Sequence, residues 1–286
     1  MTLELLLQPF SYEFFRRGLI AAALAGGLCG LIGVFITLRR MSYIGHGLSH
    51  AVFGGAVVSF LLQINFYLGA GAWGFLSALL ISAVARKRQI AADAAIGIVT
   101  TASFAIGVAL ISRTRKFTKN FEAALFGNVL GVTEDDLWVL GGVALITVAI
   151  VFFLYRQLLF VTFDPEVAAT YGVRTGAVDT VFALVLAASV ISSMQVLGVT
   201  MIAAALVTPA VIGRLLCGHF ATLLFASTAI GAACGLAGMY ASFYLDVSSG
   251  ATIVLTATIF FIAALVGSWL RSSVFTLGPL ETSGGR

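Results

Sequence analysis

From Thr180 to Gly213 the chain runs 34 residues without an Asp, Glu, Lys or Arg, and from Met41 to Ala85 it runs 45. Few folds accept such stretches. A helix crossing the hydrocarbon core of a bilayer needs about 20 apolar residues in succession, because lipid offers the backbone no outside hydrogen-bonding partner. The rest of the chain repeats the pattern, with 60% hydrophobic and only 10% charged residues, far below the roughly 25% charged of soluble domains. We therefore expect an all-α, polytopic transmembrane helical bundle formed by one domain, residues 1–286. Its spans are predicted at roughly 18–38, 42–64, 68–85, 92–112, 137–154, 178–197, 198–213, 221–243 and 250–270. The total is eight or nine, depending on whether Gly198 to Gly213 crosses fully.

With nine spans and an outside N-terminus, the inner side holds Arg39, Arg40, Arg86, Lys87, Arg88, Arg156, Arg174, Arg214, Arg271 and Arg286. The other six of the 16 Lys and Arg lie outside: Arg16, Arg17, Arg113, Arg115, Lys116 and Lys119. This excess of positive charge indoors sets the expected orientation. The formal charge of +4 sits in loops between spans and implies no nucleic-acid partner. Cys29, Cys217 and Cys234 show no ligand spacing and read as small packing residues. The start MTLELLLQPFSYEFF lacks the basic region and cleavage site of a signal peptide, so the first span is expected to stay. The tail TLGPLETSGGR is expected to be disordered. Gly26, Gly27, Gly30 and Gly33, with Gly231, Gly235 and Gly238 later, predict close helix packing, since small residues let helices approach in lipid.

No G-x-x-x-x-G-K-[ST] phosphate loop, H-E-x-x-H or G-x-S-x-G motif is present. No span carries spaced arginines or a TVGYG-like filter. The chain is thus expected to be no enzyme, and uphill transport would draw energy from another subunit or an ion gradient.

Against this background MSYIGHGLSHAVFGG, Met41 to Gly55, stands out. It places His46 and His50, two of three histidines in the chain, four residues apart. On a helix that spacing puts both imidazoles on one face. Neutral imidazole is the commonest metal-ligating side chain, and such a pair suits zinc and other divalent transition ions. The alternative is that each ring bonds a backbone carbonyl and only packs. Gly45 and Gly47 suggest local unwinding around His46, and Ser49 is expected to bond back to its own helix. Asp93, in AADAAIGIV, reads as a helix-start residue near the dipole's positive end, with a place on the path as the alternative. Asp246 is expected to be a cap and His219 a loop residue.

Two loops read as contact surfaces on one side. In FDPEVAATYGV, Asp164 is a cap, Pro165 opens the helix ahead of Glu166, and Gly172 stops it. In VTPAVIGRLLCGHFATLL, Pro209 is expected to break the apolar run, with Arg214, Gly218 and His219 emerging before the chain re-enters.

LRRMSYIGHGLSHAVFGGA, DAAIGI, LFGNVLGVT, FDPEVAATYGV, VLGVTMIAAALVTPAVIGRLL and YLDVSSGATIVL, taken in order, resemble the membrane permeases of ABC importers for manganese, zinc and iron. The resemblance runs from about Gly18 to Leu270. It implies a bundle similar in fold to the vitamin B12 and iron-siderophore permeases, in the cell membrane. It also implies a homodimer with a path at the subunit interface, a cytoplasmic ABC ATPase dimer and an extracytoplasmic metal-binding protein. Pro209 to Phe220 would dock in the ATPase, with Asp164 to Gly172 on the same side, and Arg113 to Lys119 would face the binding protein. No cofactor is implied beyond the transported divalent ion, zinc or manganese or iron, and ATP acts only through the partner. The family pattern GDALSHAVLPG has an Asp where His46 stands, while His50 matches and Gly54 replaces the Pro. Two imidazoles form a softer site than Asp plus His, which shifts the expected cargo from manganese toward zinc. A chelate permease of the siderophore or cobalamin type and a secondary transporter without an ATPase remain the alternatives.

Overall fold

A computed structural model of the protein describes residues 7–85, 92–114, 125–127 and 129–275. The polar tail beyond 275 and most of the basic stretch Arg113 to Lys119 lie outside them. After a short 3₁₀ turn at Gln8–Ser11 come α1 (Glu13–Leu38), α2 (Tyr43–Leu62), α3 (Phe66–Ala85) and α4 (Ala92–Thr114). A second 3₁₀ turn, Val129–Gly131, leads to α5 (Glu134–Phe153), α6 (Tyr155–Phe163), α7 (Pro165–Thr170) and α8 (Thr175–Leu197). The chain ends through α9 (Ile202–Leu216), α10 (Phe220–Leu245) and α11 (Ser249–Phe275).

Eight of these helices are long and apolar enough to cross a membrane: α1 to α5, α8, α10 and α11. The ninth apolar helix, α9, has only 15 residues. At 1.5 Å per residue it reaches about 22 Å, short of the roughly 30 Å hydrocarbon core. Among the described residues α9 is thus shorter than the eight spanning helices. Together with the link before it, this helix returns the chain from the end where α8 finishes, beside Gly127 and Gly250, to the end where Phe220 packs on Phe35. Residues 198–201 form that link. Gly198 ends α8 with φ at 78°, a conformation that glycine adopts without strain. A side chain there would also strike the Gly127 backbone. The link is tied into the bundle: Thr200 donates from N (3.2 Å) and Oγ1 (2.8 Å) to the Leu125 carbonyl.

Helix α1 is the core of the bundle, with Phe15, Ile32, Phe35 and Ile36 fully buried. It meets α10 through backbone rather than side chains. Gly26 faces the Gly231 carbonyl, Gly30 the Ser227 carbonyl, and Gly235 the Ala22 carbonyl. The expected small-residue packing is present. By contrast, α5 and α11 turn large side chains outward, among them Leu145, Phe152, Leu255 and Ile259, as lipid-facing helices do.

The two ends of the bundle are fastened differently. At one, Arg17 pairs with Glu13 and, 2.6 Å away, with Glu134. Beside it Thr133 and Asp136 form a reciprocal capping box at the start of α5, and Tyr67 donates to Asp136 at 2.5 Å. At the other end α1 finishes, and Phe220 packs on Phe35, Tyr155 and Phe163, with ring centroids 5.7, 5.7 and 6.1 Å away. The α6–α7 segment and the Cys217–His219 turn thus share one end. Asp246 is the C-cap of α10 in the left-handed region rather than a start for α11.

Candidate metal site

Helix α2 runs without interruption from Tyr43 to Leu62, so the unwinding expected at Gly45 and Gly47 does not occur. The glycines serve close packing instead. A side chain at Gly45 would strike Leu206 of α9, and one at Gly47 would strike Ile96 and Thr100 of α4. These contacts wedge α2 between its two neighbours and fix the face that carries the histidines.

On that face the rings of His46 and His50 lie edge to face, 4.5 Å between centroids. Both are half-buried. Tyr43 flanks His46 at 5.4 Å, and Phe104 of α4 stands perpendicular to His50 at 5.1 Å. Between the two in sequence, Ser49 is fully buried. Its one hydroxyl proton is shared between the His46 carbonyl (2.8 Å) and the Val199 carbonyl in the α8–α9 link (3.0 Å). The expected back-bond is there, and the second contact joins the histidine helix to the break after α8. Two imidazoles on one face, backed by aromatic rings and open on the outer side, form a nitrogen donor pair suited to a borderline divalent ion. Two donors are fewer than the four a closed zinc site takes. Among the described residues no group of three or more His, Cys, Asp or Glu could hold a metal.

Asp93 is not part of this pair. It is exposed in the first turn of α4, eleven residues before Phe104 and so about 16 Å along the axis. Its position suits the dipole at that helix start.

The residues expected on a contact surface divide. Asp164 caps α7 by accepting from the Val167 backbone N–H at 2.9 Å, Pro165 opens the helix, and Gly172 follows it with φ at 80°. Asp164, Pro165, Glu166 and Gly172 are exposed, as are Arg214, Gly218 and His219 at the neighbouring turn. Pro209 is not: it is buried inside α9, which continues through it. Proline removes one backbone N–H, and a packed membrane helix tolerates this where neighbouring groups satisfy the freed carbonyl.

The sequence reading missed one group at this end. Arg39, in the α1–α2 link, donates from NH1 to Asp179 Oδ1 (2.7 Å) and from Nε to Thr162 Oγ1 (3.1 Å). Burial pulls its guanidinium below the ordinary arginine range, and the Asp179 carboxylate pulls it back. The signal was Asp179 itself, a carboxylate at the edge of a charge-free run that needed a cation.

The family model described as ABC 3 transport family matches residues 11–268. The manganese transport system membrane protein MntC of Halalkalibacterium halodurans is 37% identical over 257 residues, 90% of this chain and 88% of that one. The manganese import system permease protein ScaB of Streptococcus gordonii is 34% identical, covering 88% and 91%. Among solved structures, PsaBC from Streptococcus pneumoniae in complex with Fab superposes with a TM-score of 0.81 at 32% identity, over 90% of this chain and 92% of that one. An inward-facing metal-chelate type ABC transporter superposes at 0.68 with 15% identity, a likeness of fold. The helical bundle, with eight helices of membrane-spanning length among the described residues, and the match over nearly the whole chain establish that this multi-pass cell-membrane protein belongs to the ABC 3 transport family.

Proposed function

We propose that the chain is the membrane permease subunit of an ATP-driven importer of a divalent transition-metal ion, with the ion passing His46 and His50. The observation that carries this reading is the adjacent imidazole pair, half-buried on one face of a helix in an otherwise apolar bundle. Ionisable groups at such depth are costly unless they face a wet path or a partner. The chain supplies no phosphate-binding loop, so a separate ATPase powers the cycle. Its docking surface would be the end where α7 and the Cys217–His219 turn lie together. A binding protein would deliver the ion at the opposite end, and a second copy of the chain would close the path and complete the ligand set. The cycle would be alternating access, one bundle rocking against the other around the site.

Manganese is the cargo in the names of the relatives, and it is the first cargo proposed here. The second imidazole favours a second reading, zinc, because nitrogen donors suit borderline ions better than hard ones. Uptake of labelled Mn²⁺ and Zn²⁺ by vesicles holding the permease, its ATPase and its binding protein tests both. A His46→Asp variant should raise the Mn²⁺-to-Zn²⁺ uptake ratio on the order of tenfold, the factor that about 1.4 kcal/mol makes. A ratio unmoved by the substitution would remove His46 from the selective site. ATP-independent uptake would overturn the permease reading in favour of a secondary transporter.

A further inference from the structure

Arg39 does more than neutralise Asp179. Only 10% of its side chain is exposed. One guanidinium joins three elements, since the link it belongs to leads directly into α2, Thr162 lies on α6, and Asp179 lies on α8. Its carbon stands 4.5 Å from the Phe182 ring centre. The third nitrogen, NH2, is buried with no hydrogen-bond partner. A buried donor of this kind calls for a partner, from water or from another polar group. The space for one is adjacent: a cavity of about 540 Å³ is lined by Arg39, Asp179, Phe182, Ile44, Leu48 and Pro165. Pro165 is the first residue of α7, a helix with Ala168 as its buried residue. Helix α7 is thus lightly packed and borders free space at Pro165, while α6, which precedes it, buries Leu158, Val161 and Thr162 and meets Arg39 through the Thr162 hydroxyl. At the far end of α8, the link after Gly198 holds Ser49, beside both histidines.

We propose that Arg39 is the positioning residue that carries movement of α6–α7 to the histidine helix, through α8 and through its own link to α2. This rests on the reading above, in which α7 faces the ATPase. Coupling of this kind needs an element that both sites bias, and the three-way guanidinium is that element. Lysine is no equivalent: its three donors sit on one nitrogen, which cannot take both places from which Nε reaches Thr162 and NH1 reaches Asp179.

The test measures phosphate release together with uptake of Mn²⁺ and of Zn²⁺, in vesicles holding the whole complex, so that ions moved per ATP are read directly. Arg39→Lys and Thr162→Val should each lower that ratio by roughly tenfold, within the usual span of coupling energies, with ATP hydrolysis close to wild type. Thr162→Ser, which keeps the hydroxyl, should retain the ratio. Thr162→Val should add nothing in the Arg39→Lys background, as expected for residues acting as one unit. An unchanged ratio in both variants overturns the inference, and so does a parallel fall in uptake and hydrolysis, which is the mark of a merely structural role. Should Arg39→Lys fail to assemble, the Thr162→Val and Thr162→Ser comparison decides alone. A wild-type complex that moves no metal overturns the permease reading itself, an outcome distinct from these.

Discussion

Replacing His50 with alanine is expected to cut metal uptake on the order of a hundredfold, the factor that about 2.8 kcal/mol of lost ligation makes in an equilibrium constant. The ring is half-buried against His46 and Phe104. Removing it deletes one of the two nitrogen donors that a single chain offers on this face. The rest of α2 is held by other residues: Leu48, Val52 and Val57 are buried, and Ser49 keeps its bonds to His46 and Val199. The variant should therefore insert and assemble normally, and its ATPase partner should still hydrolyse ATP. Initial rates over a range of metal concentrations separate the two readings of the pair. A collapse of uptake with a normal yield of complex places His50 on the path. Normal uptake would make the His50 ring a packing group.

The second large effect concerns stability, and its sign differs between glycines. Gly231→Ala should destabilise the protein by roughly 1–3 kcal/mol, the usual cost of forcing volume into a packed contact. Its new methyl group would strike the Gly26 carbonyl, and backbone cannot rotate out of the way as a side chain can. Larger residues there should prevent assembly of the α1–α10 pair. Gly141→Ala on α5, with no atom within contact distance of the added carbon, should be neutral or stabilising by up to about 1 kcal/mol, because alanine is the better helix former. Thermal stability of the two variants in detergent, followed by the monodisperse fraction, checks this. Equal losses at both positions would contradict the packing described here.

The spans were legible because charge-free length is a strong constraint in lipid, and the Asp164–Pro165 start of α7 because caps are local chemistry. Other features depended on neighbours distant in sequence. Gly45 and Gly47 looked like points of unwinding, but their reason is Leu206 on one side and Ile96 with Thr100 on the other. Pro209 looked like a break for the same reason; within α9, burial against other helices outweighs one lost backbone bond. The short reach of α9 was foreseeable only as an ambiguity, since the charge-free run fits two pieces meeting near Gly198 and leaves open whether the second crosses fully. The histidine pair was visible in the spacing alone. Its depth, its aromatic backing and its tie to Val199 were not, because they bring α2, α4 and the α8–α9 link together.

The most direct measurement is X-ray absorption at the metal edge of the assembled complex loaded with Zn²⁺, compared between wild type and the His46→Ala, His50→Ala double variant. The account predicts imidazole nitrogen in the first coordination shell, at about 2.0–2.1 Å for zinc, lost in the variant. A first shell of oxygen alone in the wild type, or imidazole ligation that survives in the variant, would contradict it.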